Sequence, residues 1–298
     1  MGHYDEQREA DIKDKNGVSL DLALTKKTHS NPFNWTGSKH RYLKDLFSVL
    51  PCQKGIKVLD PFVGGGDLIS KLPLSWKITA SDSMDQIIGL HEAVQSGLIN
   101  SKGTLEKYNE RGMSKINKDA YLLLRSEYNT SKSPELLYLL MTNSFNNQLR
   151  FNLSGGFNMP FGKDRSTFNK NMICKLDNYA EALKKREVKF ICGEYSWWDF
   201  LSFDLILIDP PYLNTTATYN ESTGWDEEND LCLFDALDEV NAYKKNFVYF
   251  NQLIANGKRN DQLSVWSKKY NVRVLKETTK NCSYNKKGGE TIEIMVWN

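Results

Sequence analysis

The feature that most constrains the fold is a short run, Leu205-Ile206-Leu207-Ile208, that is apolar at every position and leads directly into Asp209-Pro210-Pro211-Tyr212. A strand with one wet face alternates apolar and polar residues. A strand with no polar position must be covered on both faces, which is the environment of a central strand in a parallel sheet. Parallel neighbours need crossover connections, and the flanking sequence reads as a supply of them. Residues 56–59 form a strand ending at Asp60, followed by Gly64, Gly65 and Gly66, a helix start at Asp67, and a second strand over 76–80 ending at Asp82. A third strand is expected at 189–192. Beyond the apolar run come a helix (227–240), a strand (247–250), a helix (262–270) and two strands separated by Lys286, Lys287, Gly288 and Gly289. Together these predict one open α/β sheet.

The stretch between its two halves has another character. Residues 84–148 carry helical amphipathic patterns such as DAYLLLRSEY and PELLYLLMTNSF, and 169–188 read as a further helix. Between them, RFNLSGGFNMPFG alternates apolar residues around a glycine pair, the signature of a β-hairpin. The expected organisation is a flexible leader over 1–30, a sheet domain made of 31–83 and 188–298, and an insertion over 84–187. Before the first strand, residues 39–50 place Tyr42, Leu43, Leu46, Phe47 and Leu50 on one helical face, stopped by Pro51.

Composition excludes several classes. The 298 residues are 40% hydrophobic and 12% aromatic, enough to bury a large core, and no apolar run approaches a membrane span. The five cysteines, Cys52, Cys174, Cys192, Cys232 and Cys282, are scattered without a CxxC pair, which argues against a disulfide framework or a zinc site. No metal is expected, nor a signal peptide, and a reducing cytoplasm fits. The formal net charge of +2 means that any nucleic-acid surface must be a local patch.

Three constellations carry chemistry. In VLDPFVGGGDL the glycines follow a strand, where backbone can approach a ligand closely, and Asp82 at the end of the next strand can accept both hydroxyls of a ribose. The spacing is not GxGxxG, and Asp67 would oppose a pyrophosphate at the following helix start, so a nucleoside fits better than a dinucleotide. The bland alternative is a tight turn with φ > 0 and Asp67 as a cap. In Asp209-Pro210-Pro211-Tyr212, the two prolines stiffen a turn at the tip of the buried strand and aim an acid, a carbonyl and an aromatic ring into the crevice where such sheets bind ligands. In NPFNWTGSKHRYL, Lys39 could meet a ligand carboxylate with Trp35 packed on it. On its own, a plain loop followed by a helix with Ser38 as N-cap is the better reading of this segment.

FNWTGSK, LDPFVGGGDL and DPPY, in this chain order, together with NNQLRFNLSGGFNMPFGK, resemble the motifs of Dam-type DNA adenine N6-methyltransferases, including those of bacteriophages. The resemblance runs from about residue 31 to the C-terminus. It departs at Ser38, where the family's WxGGK has a second glycine, and in the first 30 residues. It implies a Rossmann-like sheet using S-adenosylmethionine as methyl donor and double-stranded DNA as acceptor, with GATC as target, in a monomer or weak dimer on DNA. It also implies membership of a restriction-modification or Dam-like methylation system. Catalysis would fall to Asp209, Pro210, Pro211 and Tyr212. Donor binding would fall to Trp35, Lys39, Asp60, Phe62, Gly64, Gly66, Asp82 and Asp209, with Asp199 and Phe200 at the donor's adenine. DNA would be held by Asn147, Arg150, Asn152, Asn158, Pro160, Lys163 and Arg165.

The chemistry agrees. The N6 lone pair of adenine is delocalised into its ring, so the enzyme must stabilise nitrogen as it becomes tetrahedral and cationic. Asp209 and the Pro210 carbonyl can accept the two amino hydrogens while the Tyr212 ring stacks on the base. Stacking needs the ring and not the hydroxyl, and an unshifted carboxylate suffices. The target atom lies inside a duplex, so the adenine must be flipped out. Methylation of RNA or of a protein amide, and a DNA-binding relative that transfers nothing, are the alternatives.

Overall fold

The computed structural model describes residues 31–35, 37–213, 225–278 and 289–298. The expected leader and the Lys286–Gly288 part of the last turn lie outside the described residues. Five parallel strands form the body of the sheet: β1 (Lys57–Asp60), β2 (Lys77–Asp82), β3 (Glu187–Cys192), β4 (Leu205–Ile208) and β5 (Asn246–Ala255). The short β6 (Lys258–Arg259) folds back on β5, and β7 (Asn271–Thr278) and β8 (Thr291–Trp297) are antiparallel additions. The order across the sheet is β3-β2-β1-β4-β5-β8-β7. Chain direction through the sheet reverses between β1 and β4, and open α/β sheets bind ligands in the crevice above such a point.

β4 is covered on both faces as its composition demands. All four of its residues are fully buried. The two-residue period of a strand divides them: Leu205 and Leu207 join one hydrophobic cluster, Ile206 and Ile208 the other. Val58 and Leu59 of β1, and Val248 and Tyr249 of β5, divide the same way. Each such side chain contributes about 1.5–3 kcal/mol by leaving water. The strand tips are therefore held rigidly from two sides.

One face carries α1 (Leu43–Phe47), which is shorter than the sequence implies because its first turn, His40–Tyr42, is 3-10. The five apolar positions foreseen there are all buried. Between β2 and β3 lie α2 (Asp85–Gln95), α3 (Ser101–Glu110), α4 (Lys118–Ser131), α5 (Pro134–Asn143) and α6 (Lys170–Lys184). α5 is buried from Leu136 through Asn143, hence the helix around which this region is built. Its core is continuous with that of the sheet. The second face carries α7 (Glu227–Ala242) and α8 (Asp261–Trp266).

Two local expectations need correction. No α-helix starts at Asp67; only a 3-10 turn at Ile69–Lys71 follows the glycines. Asp67 instead accepts the backbone N–H of Asn31 at 2.7 Å, so its carboxylate ties the preceding segment to the turn and does not cap a helix. The hairpin at 150–162 has no extended ladder. Asn158 N–H donates to the Arg150 carbonyl at 3.1 Å, Asn152 N–H to that of Gly156 at 2.9 Å, and Phe151 pairs with Phe157 as a single bridge. Two glycines in a short loop leave little length for more.

Candidate active site at the sheet switch point

Above the carboxyl ends of β1, β2 and β4 opens a cleft of about 460 Å³. Asp60 ends β1, Asp82 ends β2 and Asp209 follows β4 by one residue, so the sheet itself brings three carboxylates together. Asp67, Asp85 and Glu194 also line the cleft, against Lys39 as the one cation among the described residues that line it.

Lys39 is buried at 2% exposure. Its ammonium lies 2.7 Å from Asp209 Oδ2 and 3.7 Å from Glu293 Oε1, and donates to the Gly37 carbonyl at 2.7 Å. The Tyr212 hydroxyl donates to Asp209 Oδ1 at 2.9 Å, and the ammonium lies 5.3 Å from the Tyr212 ring centroid. The structure thus gives Lys39 a partner the sequence did not suggest, the acid at the strand tip. Tyr212 likewise uses its hydroxyl as well as its ring. Burial pushes the Asp209 carboxyl above the usual range and the neighbouring Lys39 charge pulls it back.

Burial pushes Asp60 up to about 8, with Asp209 and Asp82 adding to the rise and the Phe62 N–H, donated at 3.1 Å, opposing it. Asp82 is pushed up to about 6 by burial, against hydrogen bonds from Met84 and Gly64 N–H, both at 3.0 Å. Asp82 therefore braces the glycine turn. Asp60, Asp82 and Asp209, which burial holds back from ionising, suit a ligand bringing positive charge.

The glycines serve packing as well as approach. Gly64 and Gly66 have positive φ, and a Cβ at Gly64 would meet the Trp35 ring, while one at Gly66 would collide with His91 and Tyr179. Gly64 lines the cleft; Gly66 does not. His91 is a residue the sequence reading missed. It is fully buried on α2, 2.7 Å from the Gly64 carbonyl through Nε2 and 2.6 Å from the Tyr179 hydroxyl through Nδ1. A carbonyl only accepts, so Nε2 carries the hydrogen and Nδ1 accepts from Tyr179. Burial holds the imidazole down at about 4, hence neutral.

Trp35 and Phe62 line the cleft, whereas Asp199 and Phe200 do not. Asp199 accepts from Leu201 N–H at 3.0 Å and the Ser202 hydroxyl at 2.6 Å, and Phe200 is core. The cleft wall there is built instead by Glu194 and Tyr195, just beyond β3. Tyr195, Phe62 and Trp225 form an aromatic trio with centroids 5.3–5.5 Å apart. Position after a strand tip, the rule that singled out Asp82, was the signal that could have found them.

The hairpin reaches this same cleft: Phe151, Asn152, Leu153 and Gly155 line its mouth. The residues expected to hold DNA, in and around the hairpin, divide into two groups. Asn147 donates to the Thr142 carbonyl at 2.7 Å, Arg150 binds Asn158 through Nε at 2.8 Å and Nη2 at 3.0 Å, and Asn152 accepts from Gly156 N–H at 2.7 Å. These shape the hairpin. Pro160, Lys163 and Arg165 are exposed, with the Arg165 guanidinium 5.5 Å from the Phe145 ring centroid. Among the described residues no group of His, Cys, Asp and Glu could hold a metal, and no helix is long and apolar enough to cross a membrane.

A rigid acid at the switch point, a glycine turn and an aromatic wall thus meet in one cleft of an open α/β sheet, with a hairpin at its mouth. Residues 35–281 match the model of the D12 class N6 adenine-specific DNA methyltransferases, and the chain belongs to that family. It is 32% identical to the type II methyltransferase M.FokI of Planomicrobium okeanokoites over 94% of this chain and 47% of that protein. It is equally identical to the modification methylase StsI of Streptococcus sanguinis, over 93% of this chain and 44% of that one. The DNA adenine methylase of Serratia marcescens is 29% identical over 62% of this chain and 68% of its own length. The chain thus spans less than half the length of the first two relatives.

Proposed function

We propose that this chain transfers a methyl group from S-adenosylmethionine to N6 of an adenine flipped out of double-stranded DNA. The observation that carries the reading is Asp209, fixed at the tip of a strand buried on both faces and opening into a cleft that the hairpin also lines. The donor supplies an electrophilic methyl group on a cationic sulfur. The residues present fit it: the lining acids suit its positive charge, the Asp82-braced turn suits its ribose, and Tyr195, Phe62 and Trp225 offer aromatic faces to its base.

Asp209 and the Pro210 carbonyl accept the amino hydrogens of the target, which favours the tetrahedral nitrogen and the charge that grows on it. Lys39 keeps the acid oriented, and Tyr212 stacks on the base. As the N–C bond forms, the bond from the methyl group to sulfur would break and leave a neutral thioether, while nitrogen becomes cationic and then sheds one proton, to Asp209 or to water. The region 84–187 serves as the target-recognition domain. Its exposed Lys163 contacts phosphate and Arg165 a base edge, while Arg150 holds the shape of the hairpin through Asn158. GATC is the first sequence to try.

The test is incubation of the protein with methyl-labelled donor and, separately, duplex DNA, RNA and protein, with and without EDTA. The reading requires label in DNA alone, insensitive to chelator. Label confined to RNA or protein, or label nowhere, would refute it. Mapping of the modified adenines decides the sequence, and modification in a motif without GATC would reject that part.

A further inference from the structure

We propose that Glu293 is a positioning residue of the transfer site: it is the acceptor onto which the Tyr212 hydroxyl moves when the amine of the target base takes its place on Asp209. This rests on the methyl-transfer reading above. Glu293 stands on β8, opposite Gln252 of β5, and its side chain is only 13% exposed. A carboxylate that far from water is costly unless partnered, and its partners are those of the site itself. Tyr42 donates its hydroxyl to Oε2 at 2.8 Å. Oε1 faces the Lys39 ammonium at 3.7 Å and the Tyr212 hydroxyl at 3.5 Å.

The geometry sets up a competition among donors at Asp209 that Glu293 relieves. Both oxygens of Asp209 are engaged, Oδ2 by Lys39 at 2.7 Å and Oδ1 by Tyr212 at 2.9 Å. An incoming amino hydrogen adds a third donor to the same carboxylate; its oxygens have lone pairs to spare, but each shared donor weakens the acceptor, so the amine is held best where a neighbouring donor withdraws. Lys39 cannot yield, because its buried charge is neutralised there. The Tyr212 hydroxyl can, since a rotation about its C–O bond and a small shift of the ring exchange one carboxylate for another. It has a single proton to donate, so the choice is one or the other. Tyr42 fixes Glu293 from behind, which keeps Oε1 facing Tyr212. No proton changes owner in this exchange; one hydrogen bond is traded for another as the base arrives.

The experiment is a double-mutant cycle on DNA methylation under single-turnover conditions, with Glu293→Gln and Tyr212→Phe alone and combined. The hydroxyl exchange requires Glu293→Gln to slow transfer about tenfold in the wild-type background and less than threefold in the Tyr212→Phe background, with donor affinity and melting temperature nearly unchanged. Costs that multiply in full, or a Glu293→Gln enzyme at wild-type speed, would overturn it, because a merely structural carboxylate has no reason to lose its effect when one hydroxyl is removed. Should Glu293→Gln fail to fold, Tyr42→Phe loosens the same carboxylate from its other side, and its cost must collapse in the same background. A wild-type protein that methylates no adenine overturns both this inference and the reading beneath it. An active wild type with multiplicative costs overturns only this one.

Discussion

Asp60→Asn should make the ligand-free protein more stable at neutral and alkaline pH. Asp60 titrates near 8 in the folded chain because it is buried beside Asp82 and Asp209, against 3.8 for an unperturbed Asp. Between those values the folded state holds a proton that the unfolded chain has released, so stability is greatest at low pH and declines as pH rises from about 4 to about 8. Each pH unit inside the window is worth about 1.4 kcal/mol. From pH 5 to pH 8 the wild-type protein should therefore lose about 4 kcal/mol more than the Asn variant, which is isosteric and cannot ionise. Asp82 superimposes a smaller decline that ends near pH 6. Urea unfolding of both proteins at pH 5, 6, 7 and 8, without donor, measures the difference. Parallel stability curves would show that Asp60 ionises normally and would remove the argument that the cleft awaits positive charge. By the same linkage, donor affinity should rise with pH between about 6 and 8 in the wild type and flatten in Asp60→Asn.

Other consequences are more direct. Asp82→Ala removes the acceptor for both Gly64 and Met84 N–H. It should weaken donor binding by about 1.5–3 kcal/mol in calorimetry, and unchanged affinity would detach the glycine turn from the donor site. Tyr212→Phe, which keeps the ring, should keep appreciable activity, while Tyr212→Ala falls about tenfold or more; equal losses would deny the ring a role. Lys163→Ala should weaken DNA binding uniformly and lower the salt slope by about 1, whereas Arg165→Ala should relax discrimination at one base pair by about 1–3 kcal/mol. Arg150→Ala should instead disturb the hairpin itself, seen as loss of binding to all sequences, because its guanidinium is spent on Asn158.

What could be read from sequence was whatever a short window encodes. The apolar run of β4 announced a strand covered twice, and the acids that follow β1, β2 and β4 fell where strand tips meet a ligand. Contacts across long separations left no such trace. Nothing near Lys39 points to Asp209, 170 positions on, or to Glu293 on the last strand, and His91 looked like one more residue of an amphipathic helix. Asp67 shows the limit of local rules. An acid after glycines reads as a helix cap, yet its carboxylate is taken by the Asn31 backbone. Asp199 and Phe200 stand off the cleft lining for the opposite reason: the residue types suit a base, but they lie farther from the strand tip than Glu194 and Tyr195, which line the wall.

The central claim is that Asp209 works on adenine N6, and it is tested most directly by the methylated product itself. Duplex DNA incubated with S-adenosylmethionine and either the wild-type protein or Asp209→Asn is digested to nucleosides, and N6-methyladenine is quantified by mass spectrometry. Asn keeps the size of the side chain and a carbonyl acceptor but loses the charge that stabilises a cationic nitrogen, a loss of about 2.7–4 kcal/mol if it resembles removal of one preorganised group elsewhere. The account requires N6-methyladenine from the wild type and a yield rate lower by about a hundredfold or more from the variant, with donor still bound. Comparable rates from both proteins, or methyl groups found on cytosine, would contradict it.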